Sequence, residues 1–169
     1  MGSCRTPSPD PARHLTWLRA TWLAALLCGC ATAPLPQDQR VTLRPDQGLA
    51  AVMIDSLDPI TQVTFQGGGS KLVVASVLPG IRLYLFPTRA GRYCLTHFHY
   101  ANFDFAAEGS LQQCFQVTAG KLSYSGTLAP RVEDDKPVTR QVQDPQGFRV
   151  LLEQQYPTVA KQFPPPTGA

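Results

Sequence analysis

Two histidines separated by one residue, His97-Phe98-His99, are the chain's one histidine pair at metal-ligand spacing. On a strand, residues i and i+2 project to the same face, so both imidazoles could reach a single zinc ion. Asp104 or Glu108 would have to supply a third ligand, because the only other histidine is His14. The competing reading is a pair of edge histidines packed among aromatic neighbours. The run Gly67-Gly68-Gly69-Ser70 invites a phosphate-loop reading, yet no Lys-Ser/Thr follows in register and no helix opens behind it. A hairpin loop explains it instead. No Gly-x-Ser-x-Gly occurs, carboxylates are few, and Glu133-Asp134-Asp135 stands beside Arg131 and Lys136 as a solvated loop. The expectation is no catalytic residue, no enzyme and no cofactor, with His97 and His99 kept as metal-ligand candidates.

Arg5, Arg13 and Arg19 precede an apolar run over residues 22–27, and Cys28-Gly29-Cys30-Ala31 follows it. Basic residues, a short hydrophobic segment and a small residue before a cut compose a secretory signal. The run is well short of the ~20 residues that span a bilayer, which argues against a membrane helix. Leu27-Cys28-Gly29-Cys30 resembles the lipobox of bacterial lipoproteins. The resemblance implies cleavage after Gly29, leaving Cys30 as first residue with a diacylglyceryl thioether and an acylated amino group. Two or more acyl chains anchor a protein stably; one chain, at ~0.8 kcal/mol per buried methylene, does not. An ordinary signal cut after Ala33 is the alternative. With lipoprotein processing, Cys4 and Cys28 leave, Cys30 is lipidated, and Cys94 and Cys114 remain to form a disulfide in an oxidising envelope. No Cys-x-x-Cys occurs, so a thioredoxin-like role has no support.

The elements that must position these residues are mostly strands. Val, Leu, Phe and Tyr dominate short runs punctuated by Gly and Pro. Residues 30–169 carry 12 Lys+Arg against 11 Asp+Glu, a net charge of +1, and so show no electrostatic footprint for nucleic acid. Residues 33–44 read as an extended, mobile tether. Strands are predicted over 50–54, 63–65, 71–77, 81–86 (stopped by Pro87), 92–100, 112–118 and 121–128, with an edge strand over 137–143. If Ala119-Gly120 closes a two-residue hairpin, Val117 faces Leu122 and Phe115 faces Tyr124. If Cys94 also sits opposite Cys114, then Tyr93, Phe115 and Tyr124 form one buried row, with Leu95, Val117 and Leu122 on the same face and the cysteines opposite. That register places His97 on the core side and centres the connecting aromatic loop on Asp104. Asp144 and Pro145 start a helix as N-cap and first residue, and Phe148, Leu151, Leu152, Tyr156 and Val159 form its apolar stripe. Pro157 must kink or end it.

Gly91-Arg92-Tyr93-Cys94 and the stretch from Cys114 to Leu128 resemble an ending found in small bacterial envelope lipoproteins. That resemblance implies a prealbumin-like or immunoglobulin-like sandwich and carries no catalytic residue. The predicted organisation is a signal over 1–29, a lipidated flexible tether over 30–47, a sandwich over 48–143, a helix over 144–163 and a Pro-rich tail over 164–169. The fold class is mainly β, an antiparallel β-sandwich with one C-terminal amphipathic helix. The expected protein is a lipid-anchored, non-catalytic binding or structural module at the periplasmic face of the outer membrane; a metal-binding protein or metal-dependent enzyme using His97 and His99 is the alternative. Its partners are the membrane, through the anchor, and an envelope protein; nucleic acid is not one. Tyr100, Phe103 and Phe105 crowd one loop as a candidate partner site, the alternative being that these rings fold back into the core.

Overall fold

The computed structural model describes residues 31–35, 39–100, 103–133 and 136–164. Cys30, the signal over 1–29 and tail residues 165–169 lie outside the described residues, as do Asn102, Asp134 and Asp135. The described strands are β1 (Ala31–Thr32), β2 (Gln47–Ser56), β3 (Ile60–Gly67), β4 (Ser70–Val77), β5 (Gly80–Arg89), β6 (Gly91–Tyr100), β7 (Phe103–Ala106), β8 (Cys114–Val117), β9 (Leu122–Glu133) and β10 (Lys136–Val142). Two helices follow, α1 (Pro145–Gln155) and α2 (Pro157–Gln162). One sheet runs β1-β4-β3-β6-β7 with β8 also paired to β6, and the other runs β10-β9-β2-β5. The protein is mainly β, as expected. Its sheets are mixed rather than purely antiparallel, since β1 pairs β4 and β2 pairs β9 in parallel.

Strand β2 is the centre of the molecule. Leu49 to Ile54 are each at most 1% exposed, so neither face of this strand meets water. Ala50, Val52 and Ile54 point between the sheets with Val63, Phe65, Leu72, Phe86, Tyr93 and Phe98. Leu49, Ala51 and Met53 point the other way, onto Phe148, Leu152, Tyr156 and Val159 of the helices. An unbroken apolar run is the pattern of a strand covered on both faces. The order of layers is therefore sheet, sheet, helices.

The helical segment starts as expected: Asp144 accepts from the Gly147 amide at 2.8 Å, and Pro145 is the first helical residue. Pro157 does not merely kink it. Tyr156 leaves helical geometry (φ −136°), and α2 begins anew at the proline. Tyr124 stacks on Phe148 at 4.4 Å between ring centroids, fixing α1 to the sheet.

Several expected placements are corrected. The turn at Ala119-Gly120 exists, but β9 joins β2 in the second sheet instead of pairing with β8. Gly120 donates to the Gln47 carbonyl and Leu49 to that of Lys121, so the turn hands the chain across the sandwich. Tyr93 still faces Phe115. Phe65 then meets Phe115 at 5.7 Å between centroids, while Tyr124 and Leu122 face the helices. Pro87 does not stop β5, because β5 is an edge strand where a missing N–H costs no ladder bond. Arg131 lies in β9 rather than in a charged loop.

The N-terminal segment is not a free tether over its described residues. Val41 is buried, and its backbone is bracketed by the Gln162 amide, which accepts from the Val41 N–H at 3.1 Å and donates to its carbonyl at 2.6 Å. Leu35 donates to the Leu85 carbonyl at 2.7 Å, and Leu35 and Leu43 pack beside the helix-side core.

Candidate functional site

The bond between Cys94 and Cys114 is present, and the two residues are direct partners across β6 and β8. Both are half-buried, on the outer face of their sheet, while neighbouring Tyr93 and Leu95 are wholly buried. Beyond this point the strand changes face. Thr64 pairs with His97 but Phe65 pairs with Leu95, so Thr96 is an extra residue, a β-bulge held by its hydroxyl donating to the Thr64 carbonyl at 3.2 Å. One inserted residue inverts the alternation. Phe98 therefore takes the core position, and His97 is exposed on the outer face, contrary to the expectation.

His99 shares that outer face, and its Nε2 lies 3.3 Å from Oδ1 of Asp104, its direct partner on β7. Among the described residues no group of three or more His, Cys, Asp or Glu lies close enough to hold a metal ion. The spacing of His97 and His99 thus gives one open pair, one member of which already has a carboxylate partner.

The expected aromatic loop is largely a second hairpin. Tyr100 pairs with Phe103 and Phe98 with Phe105, so Asp104 lies in a paired strand rather than at the centre of a loop. Glu108 precedes a short 3-10 turn over Gly109–Leu111 that carries the chain back to Cys114. The three aromatics divide. Phe105 is half-buried, 5.1 Å from Phe98 between centroids, and packs on the core. Tyr100 also leans on the core, and its hydroxyl donates to Asp58 Oδ2 at 2.8 Å. This hydrogen bond, with some desolvation and the Asp58 charge, pushes the Tyr100 pKa above the usual tyrosine value. Only Phe103 is open, at 63% exposure, stacked 6.0 Å from Phe105.

Phe103 has company that the sequence reading missed. Among the described residues, Leu57 (70%), Leu78 (58%) and Ile81 (49%) are also exposed large apolar side chains. The pairings Ser56–Gly80, Ile60–Val77, Ile60–Tyr100 and Tyr100–Phe103 place all four at one end of the sandwich. Each of the three missed residues sits in or beside turn chemistry, Leu57 in Asp-Ser-Leu-Asp-Pro and Leu78 and Ile81 flanking Pro-Gly. An apolar residue among turn formers was the available signal. At the same end Arg131 lies 2.9 Å from Asp55 and also donates to the Asp55 carbonyl, tying β9 to β2 beneath these loops.

A shallow depression of about 320 Å³ lies where the N-terminal segment crosses α2, lined by Arg40, Thr158, Lys161 and Gln162. The Gln162 side chain there is committed to the Val41 backbone. Comparison of the chain with protein-family models, with curated proteins and with solved structures gives no match.

Proposed function

We propose that this chain is a lipid-anchored envelope protein whose domain is a non-catalytic binding module, docking a protein partner on the apolar end of the sandwich. The observation that carries this reading is the gathering of Leu57, Leu78, Ile81 and Phe103 at one end. Exposed apolar side chains gathered at one end of a domain mark an interaction surface, and aromatic anchors supply much of the energy in such contacts. The rigid sheet beneath, with the Arg131–Asp55 pair and the Tyr100–Asp58 bond, holds the loops in place. The anchor is supported by the lipobox-like Leu27-Cys28-Gly29-Cys30 and by the likeness of residues 91–94 and 114–128 to small envelope lipoproteins.

Site-specific photocrosslinking tests the docking end. A photoreactive residue at Leu78 or Phe103 should yield a discrete protein adduct in intact envelopes, whereas one at Ala90, at the far end, should not. Adducts of equal yield from both ends, or none from either apolar position, would contradict the proposal.

A further inference from the structure

The end of the sandwich opposite the apolar loops is strongly cationic. It is built from turns at residues 44–47, 67–70, 89–91 and 117–122. These turns and the first residues of adjoining strands expose Arg44, Lys71, Arg89, Arg92 and Lys121. The one carboxylate in this set is Asp46, 3.5 Å from Arg89. Asp55, Asp58, Asp104 and Glu133 belong to the other end, by the register of β2, β7 and β9, and Arg82, Arg131 and Lys136 stand with them there. The near-neutral total of the domain therefore conceals one end where cations outnumber carboxylates five to one and another where the two are close to balance among the described residues.

The chain enters at the cationic end. Ala31, which directly follows Cys30 in sequence, is the partner of Lys71, and Thr32 that of Leu72, at the start of β4. Among the described residues that follow this entry, Leu35 and Val41 are bonded to the domain, at the Leu85 carbonyl and the Gln162 side chain.

We infer that this cationic end is a seat for the anionic phospholipid surface that receives the anchor, so that the apolar end points away from the bilayer. The inference rests on the lipid anchor proposed above. Each Lys or Arg near an anionic leaflet strengthens the attraction roughly five-fold, within a Debye length of about 8 Å. From Lys71 to Val77 the strand rises roughly 20 Å, so charges at one end of β4 are held at the surface while the other end is beyond its field. The occupant is an anionic bilayer because the entry of the chain and the charges coincide.

The full mature protein, reconstituted into vesicles, tests the orientation. An environment-sensitive fluorophore is placed at Ala90→Cys or at Leu57→Cys, and headgroup-quencher lipid is added to phosphatidylcholine vesicles with or without phosphatidylglycerol. Quenching at Ala90 should exceed that at Leu57 several-fold, should require phosphatidylglycerol, and should collapse in high salt. The triple variant Lys71→Glu/Arg92→Glu/Lys121→Glu should lose the difference while keeping its melting temperature; if it fails to fold, the salt titration of the parent protein decides alone. Equal quenching at both positions, or quenching indifferent to phosphatidylglycerol, overturns the seat even where intact mass shows lipid on Cys30. Salt-sensitive quenching at Ala90 without lipid on Cys30 overturns the anchor and leaves the seat. Neither lipid nor quenching overturns both.

Discussion

Tyr93 ties the two sheets together at a single hydroxyl. Its ring is fully buried, and its oxygen lies 2.7 Å from Thr88 Oγ1 and 2.9 Å from Ser70 Oγ, while donating to the Arg89 carbonyl at 3.1 Å. Tyr93→Phe should cost about 1 kcal/mol, since Ser70 and Thr88 can still bond each other, and urea unfolding would measure it. Tyr156 makes a different statement. Burial, with a smaller contribution from Tyr84, raises its pKa above the usual tyrosine value, and its hydroxyl donates to the Leu83 carbonyl at 3.2 Å. An acid whose folded pKa is raised stabilises fully below its unfolded pKa, ~10, and loses that contribution as pH climbs through the folded value. Thermal unfolding should therefore show stability falling above about pH 10, and Tyr156→Phe should flatten that fall relative to the parent protein. An identical alkaline slope in both would count against the buried phenol.

At the scale of elements, the link between β6 and β8 is the feature most fully legible in the sequence. Two cysteines and the pairing of Tyr93 with Phe115 followed from one register, and both are present. Reducing the bond opens a loop with a sequence separation of 20 residues, which should cost roughly 3 kcal/mol in the chain-entropy model, read as a lower urea midpoint in reductant. The helix stripe was equally plain, because one face of α1 carries Phe148 and Leu152 into the core. Phe148→Ala should cost about 3 to 4 kcal/mol by removing the ring stacked on Tyr124. What the sequence concealed were insertions of single residues. Thr96 bulges and exchanges His97 for Phe98 at the core face. In β9, the shift near Ser125 and Gly126 does the same, so that Tyr124 packs on the helices while Leu128 packs between the sheets. A constant period of two cannot register either change. Nor can a turn announce its partner: Ala119-Gly120 has hairpin chemistry, yet the doubly apolar β2 needs a neighbour on each side, and β9 is that neighbour.

The whole molecule has two unlike ends, and neither was visible from composition. A net charge of +1 over residues 30–169 is silent about where the charges lie, and Leu57, Leu78 and Ile81 gather only after the strands pair. The lipobox-like segment, by contrast, is a local pattern that lies outside the described residues, and the anchor proposed from it rests on the sequence alone. On the proposed anchor the two ends differ in their distance from the membrane, since Ala31 enters beside Lys71 and away from Phe103. Intact mass spectrometry of the protein extracted from envelopes therefore tests the account most directly. The account predicts a chain beginning at Cys30 and carrying the added mass of a diacylglyceryl group and an N-acyl chain, with Cys30→Ser accumulating as unprocessed precursor. A mature chain that begins at any other residue, or a Cys30 without lipid, would contradict it.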